Sequence, residues 1–133
     1  MDWKKGLLTG IAGGVLLIMI SFVSMLNPAT GEWYSKTFPQ MMNPTGMLTG
    51  PISSFIMGLI MGLIYSIIHS SIPGKGLRKG VRYGVIVWLL TGLMWPIMMM
   101  SFAPANIWII ELLTGLIAYT IVGVIISLLY QKI

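Results

Sequence analysis

Glu111 is the one acidic residue that lies within a long apolar stretch of this sequence. A carboxylate is costly to place inside a membrane, so such a residue commonly binds a cation or carries a proton. Asn106 and Thr114 are its predicted polar neighbours. A second interpretation stays open, in which Glu111 sits near the outer interface. There the positive N-terminal end of its helix, water or Lys36 would stabilise it.

Other chemistry has little support in the residue types. The chain has no Cys, which excludes disulfides, thiolate metal sites and thiol nucleophiles. A haem or metal site normally needs more ligands than the single His69, and one Asp and one His do not make a Ser-His-Asp triad. Methionine pairs could bind Cu(I), although Met more often fills gaps in apolar packing; the pairs are Met57–Met61 and Met94–Met98. We therefore expect no enzyme, no cofactor and no metal.

The composition indicates a membrane protein. Of the 133 residues, 56% are hydrophobic and 8% are charged, whereas a soluble domain has about 25% charged residues. Apolar stretches of about 20 residues can cross the hydrocarbon core as helices. The sequence has four, so we predict an all-α bundle of four transmembrane helices in a single domain, 1–133; the stretches are about 6–26, 46–70, 79–102 and 105–130.

The basic residues predict the orientation. Seven of the eight Lys and Arg residues fall on one side of the predicted bundle, and only Lys36 falls on the other. Cytoplasmic loops carry such an excess, so both termini and the middle loop are predicted to be cytoplasmic in a multi-pass protein of the cell membrane. The basic group between the second and third helices is predicted to contact anionic headgroups rather than nucleic acid; it comprises Lys75, Arg78, Lys79 and Arg82.

Two other segments have recognisable turn or helix signals. The outer loop 27–45 is the longest, and its aromatic residues predict a short interfacial helix around Glu32–Phe38. Pro96 is predicted to bend the third helix, because proline removes a backbone hydrogen bond. Trp88 and Trp95 of that helix either line a cavity or fill the bundle.

The two halves of the chain resemble each other. Eight residues of the second helix recur in the fourth at a constant offset of 65, from Leu48 and Leu113 to Tyr65 and Tyr130. The first and third helices also begin alike, with Lys5-Gly6 and Lys79-Gly80. We predict two tandem helical hairpins, repeat 1 at about 4–70 and repeat 2 at about 78–133, related by an axis along the membrane normal. Chance similarity between apolar helices is the alternative.

Small residues recur every fourth position in the helices, which favours close helix packing. The predicted packing residues of the second and fourth helices are Gly50, Ser54, Gly58, Gly62, Gly115 and Gly123. Such ridges pack either within one chain or between chains.

The stretch from Ile72-Pro73-Gly74-Lys75-Gly76 through Lys79-Gly80 and Tyr83-Gly84 to Trp88 resembles a group of small four-helix prokaryotic membrane proteins of unknown function. A Gly-rich first helix and a fourth helix that ends in Gly123 and Tyr130 extend the resemblance over most of the chain. It implies no activity. Small multidrug transporters and fluoride channels are similar in size, but their motifs are missing here.

The sequence supports two hypotheses for function. The first is a non-enzymatic oligomer or accessory subunit that acts through Gly-ridge packing with copies of itself or another membrane protein, surrounded by membrane lipids. The second is a small transporter or channel that uses Glu111. A polar cavity that reaches Glu111 would favour transport, and a tight bundle with an exposed Gly ridge would favour assembly.

Overall fold

The computed structural model describes residues 1–133, which fold into helices without strands. Four helical spans are long and apolar enough to cross a membrane, as the sequence predicts. They are α1 (Trp3–Met25), α3 (Pro44–Ile68), a third span over Gly76–Met99 and α6 (Ala105–Lys132). The short α2 (Pro28–Thr37) joins α1 to α3.

Capping residues move the starts of the first two spans ahead of the predicted ones. The Asp2 carboxylate accepts a hydrogen bond from the Lys5 amide at 3.1 Å, so α1 begins at Trp3 rather than Gly6. The Asn43 side chain accepts from the Gly46 amide at 2.7 Å, and Pro44 fills the first position of α3. Both side chains bond amides that have no partner within the helix.

The predicted outer loop 27–45 is mostly helical. The helix expected around Glu32–Phe38 is present, but it starts at Pro28, because Asn27 caps it through the Ala29 amide. A 3₁₀ turn, Pro39–Met42, follows before α3 begins.

The third span is interrupted before Pro96, the residue predicted to bend it. It consists of α4 (Gly76–Val87), a π-helical segment (Trp88–Gly92) and α5 (Met94–Met99). The Leu93 amide bonds the Trp88 carbonyl at 2.9 Å, five residues back. Pro96 has no amide hydrogen to give to the Gly92 carbonyl, so the regular hydrogen-bond pattern cannot continue through this point.

Glycines bring the helices of each hairpin into backbone contact. A Cβ atom on Gly58 would fall on the backbone of Gly14, and one on Gly62 would fall on Gly10. In the second hairpin, a Cβ on Gly123 would fall on Gly84. Thus α1 packs closely on α3, and α4 packs closely on α6, as small-residue ridges allow.

The two hairpins meet through α1 and α6. Gly13 of α1 faces Val122 and Ile126, whose side chains would lie 3.0–3.3 Å from an added Cβ. The matching glycines are not in matching contacts, however. In the first hairpin, Gly62 contacts Gly6 and Gly10 of α1. The residues of the third span that correspond to these two are Gly80 and Gly84, and both contact Gly123. The offset of 65 pairs Gly123 with Gly58 rather than with Gly62. The second hairpin is therefore shifted by one helical turn relative to the predicted repeat.

The two ends of the bundle differ in packing. We call the end that carries both termini and the turn at Pro73–Lys75 the basic end, and the opposite end the α2 end. Tyrosines fill the bundle towards the basic end, where the Tyr65 ring packs against those of Tyr83 and Tyr130 at centroid distances of 5.0 and 5.4 Å. These rings are buried and belong to the apolar core.

A polar bond links the hairpins within this tyrosine cluster. The hydroxyls of Tyr65 and Ser127 are 2.8 Å apart, and the Ser127 hydroxyl also donates to the Gly76 carbonyl at 3.2 Å. We expect Tyr65→Phe to lower the free energy of unfolding by about 0.5–1.5 kcal/mol, the usual contribution of one hydrogen bond. Unfolding in detergent micelles of Tyr65→Phe, Ser127→Ala and the double variant measures the coupling. Strictly additive effects would show that the bond contributes nothing.

Candidate functional site

A cavity of about 420 Å³ lies between the two hairpins. It is lined by the last third of α1, the first half of α3, the second half of the third span and the first half of α6. The cavity therefore occupies the α2-end half of the bundle, opposite the tyrosine cluster. The residues that line it include Leu17, Ile20, Ser21, Ser24, Ser53, Ser54, Met57, Thr91, Trp95, Glu111, Thr114, Ala118 and Tyr119.

Glu111 is the only carboxylate in the cavity lining. Thr114 also lines it, because residues three apart on a helix share a face. Asn106, the other predicted neighbour, lies outside this cavity, in a shallower pocket beside Glu32 and Lys36. The structure thus brings together two of the three residues predicted for an ion site.

Lys36 is paired with another carboxylate. Its ammonium group lies 2.5 Å from Glu32 on the exposed face of α2. The hydrogen bond and charge of Lys36 lower the pKa of Glu32. Because Lys36 is occupied in this way, Glu111 faces the cavity without a basic partner.

Hydroxyl groups line the opposite wall. Ser21 and Ser24 belong to α1, and Ser53 and Ser54 belong to α3. The Ser21 and Ser54 hydroxyls are 3.4 Å apart, which links the two helices. Ser54, one of the predicted packing residues, thus contacts α1 and also lines the cavity.

Tyr34 of α2 reaches the same region. The Trp95 indole donates a hydrogen bond to the Tyr34 hydroxyl at 2.9 Å. Burial and the nearby Glu111 carboxylate raise the pKa of Tyr34 to about 12. The tyrosine is therefore neutral at physiological pH. From the sequence, Tyr34 is predicted only to lie in an interfacial helix, and its aromatic character gives no signal for this contact.

Aromatic rings hold α2 beside Phe102, in the loop between the third span and α6. The Trp33 ring stacks on Phe102 at 6.1 Å, and Phe38 and Trp95 also pack edge-on against Phe102. These contacts fix α2 beside the cavity, so that it covers part of the α2 end.

The interrupted third span adds backbone to the cavity lining. Gly92 and Pro96 both line it. Because Pro96 lacks an amide hydrogen, the Gly92 carbonyl loses its usual donor four residues on. Free carbonyls at such breaks are common ligands for cations in transporters.

The remaining predicted packing residues lie at different kinds of site. Gly58, Gly62 and Gly123 make the backbone contacts within the hairpins. Gly115 lines the cavity beside the Trp88 indole, which would lie 3.4 Å from an added Cβ. Gly50 has no neighbouring atom within 4 Å and is exposed.

The predicted headgroup residues lie at the basic end. Lys75, Arg78 and Arg82 are exposed and Lys79 is half-buried. Arg82 donates to the Pro73 carbonyl at 2.6 Å and so holds the turn between α3 and α4. Gly74 and Gly76 have positive φ angles of 105° and 54°, which the turn requires.

Comparison with known proteins gives no significant match to a family model, to a curated protein or to a solved structure. The resemblance to small four-helix prokaryotic membrane proteins stays a prediction.

Proposed function

We propose that this chain is a small membrane transporter whose two helical hairpins enclose a cation site at Glu111. The observation that carries the proposal is the cavity of about 420 Å³ that reaches this unpaired carboxylate. A cavity of this kind favours transport over assembly, because a protein that acts only through helix packing does not need one.

The chemistry of the lining suits a cation. Glu111 supplies one negative charge in a region where low polarity strengthens electrostatic attraction. The serine and threonine hydroxyls and the Gly92 carbonyl supply oxygen atoms that can replace water around a positive group. The 2.9 Å bond from Trp95 holds the Tyr34 hydroxyl in the neighbourhood of Glu111.

The packing suits a mechanism in which the hairpins rock against each other. Backbone contacts at glycines join the helices inside each hairpin, whereas the hairpins meet through side chains, those of α1 and α6 and those of the tyrosine cluster. The cavity lies towards the α2 end, and the tyrosine cluster closes the basic end. Opening one end while closing the other is alternating access, which repeated hairpins favour.

The orientation and location are part of the proposal. We place the basic end in the cytoplasm, because seven of the eight Lys and Arg residues lie there. Both termini are then cytoplasmic, and the cavity lies in the outer half of the bundle. The charges of Lys75, Arg78, Lys79 and Arg82 would meet anionic headgroups.

Assembly through Gly ridges is the second candidate. Its supporting observation is Gly50, which is exposed on α3, on the same helix face as the exposed apolar residue Met47 three positions earlier. Gly58, Gly62 and Gly123 are occupied by contacts within the chain. Transport is therefore better supported than assembly.

Single cysteines test whether the cavity holds water, since the natural chain has none. We expect Ser54→Cys in intact cells to react with a membrane-impermeant thiol reagent added outside. Ser127→Cys is the matched control, because Ser127 is 0% exposed within the tyrosine cluster; it should react at least tenfold more slowly. An unreactive Ser54→Cys, or one that reacts only in inverted vesicles, would contradict the proposal.

A further inference from the structure

We infer that the transported solute is an organic cation with a single charge and an apolar body, rather than a metal ion. This inference rests on the proposed transport function and specifies its substrate class. It follows from the size of the cavity, the number of charges in it and the residues of its walls.

The size of the cavity fits an organic molecule. Pockets for small organic ligands range over about 300–1,000 Å³, and this cavity measures about 420 Å³. A water molecule takes up about 30 Å³, so a bare metal ion would leave most of the space filled with solvent. An organic body would displace that water.

The charge of the lining fits one positive group. Glu111 is the single carboxylate of the cavity, and Glu32 lies in the other pocket, bound to Lys36. Divalent ions such as Ca²⁺ take six to eight oxygen ligands, commonly from several carboxylates. A monovalent cation needs only the one that is present.

The walls provide both apolar and aromatic surface. Leu17, Ile20 and Met57 line the cavity on α1 and α3, and the Trp95 and Tyr119 rings line it on the third span and α6. A cation over an aromatic ring is attracted by the negative face of the ring, and weakly hydrated organic cations gain this attraction more readily than metal ions. Methionine adapts its shape to different apolar bodies.

Protection of Ser54→Cys tests the inference. The reagent is an uncharged thiol probe, and the protecting solutes are tetraethylammonium, benzyltrimethylammonium and methyltriphenylphosphonium. Sodium and benzyl alcohol, at the same concentrations, test charge alone and an apolar body alone. We expect at least one organic cation to slow labelling fivefold or more, and sodium and benzyl alcohol to leave it unchanged.

Three second-site changes assign the protection to particular residues of the cavity. Glu111→Gln should raise the concentration needed for half-protection at least tenfold. Glu32→Gln is the matched control, because it removes a carboxylate outside the cavity. It should leave the concentration needed for half-protection unchanged. Trp95→Leu should raise the concentration needed for half-protection about threefold, as loss of a cation–π contact predicts.

The outcomes separate this inference from the proposed function. If Ser54→Cys is labelled but no organic cation protects it, or sodium protects it equally well, the inference is wrong and the transport proposal stands. If benzyl alcohol protects as well as the cations, the charge requirement is wrong. If Ser54→Cys is not labelled at all, both proposals fail.

Discussion

Replacing Gly58 with Leu is expected to destabilise the folded bundle by about 3 kcal/mol or more, the upper range for overpacking of a well-packed core. A Cβ atom at this position would fall on the backbone of Gly14, which cannot move aside as a flexible side chain can. Gly62→Leu should have a similar effect through Gly10. In a bilayer, close backbone approach is the main source of helix association, so its loss has few substitutes.

Gly50→Leu is the matched control for this prediction. Gly50 belongs to the same helix and the same four-residue row, but no atom lies within 4 Å of its added Cβ. We expect near-parental stability for this variant. Thermal unfolding in detergent, followed by tryptophan fluorescence, and size-exclusion chromatography compare the variants. Equal melting temperatures for Gly58→Leu and Gly50→Leu would refute the helix packing described above.

The sequence predicts the spans well because their main determinant is local. A run of apolar residues long enough to cross the hydrocarbon core becomes a helix, because every backbone polar group must be satisfied internally. The prediction rests on this, and the structure has four helices that are long and apolar enough to cross a membrane. The helices α1 and α3 begin two or three residues before the predicted starts, because Asp2 and Asn43 cap them ahead of the apolar stretches.

The site could be predicted only in part. Glu111 was identifiable because a carboxylate in an apolar run is unusual, and Thr114 because it lies one turn further along the same helix. The Trp95–Tyr34 bond joins residues 61 positions apart, and only the packing of α2 against the third span brings them together. Similarly, Ser54 and Gly58 belong to the same four-residue row of small residues on α3. Their spacing alone does not show that Ser54 lines the cavity and that Gly58 makes a backbone contact with α1.

The repeat shows another limit of sequence reasoning. The offset of 65 between α3 and α6 aligns residue types, but helix contacts depend on how two ridges slide past each other. The glycine contacts differ by one turn between the hairpins. Bulky Trp88 occupies the position of the third span that corresponds to Gly14 of α1, which gives a physical reason for the shift.

Glu111→Gln is expected to remove the preference of the cavity for positive charge. Two unit charges about 8 Å apart, in a medium with an effective dielectric constant of about 20, attract each other by about 2 kcal/mol. A charge on Glu111 would therefore raise the local concentration of a monovalent cation at that distance roughly 30-fold. The effect is opposite for an anion, so the ratio of the two responds more strongly than either one. Gln keeps the size and polarity of the side chain, so the change isolates charge.

The most direct measurement is the labelling rate of Ser54→Cys with a cationic and an anionic methanethiosulfonate reagent, in the presence and absence of Glu111→Gln. Because both reagents attack the same thiolate, their rate ratio cancels any change in the reactivity of the cysteine itself. A water-filled cation site at Glu111 predicts that the ratio of cationic to anionic labelling falls at least tenfold when Glu111→Gln is added. Equal ratios in the two proteins would contradict it.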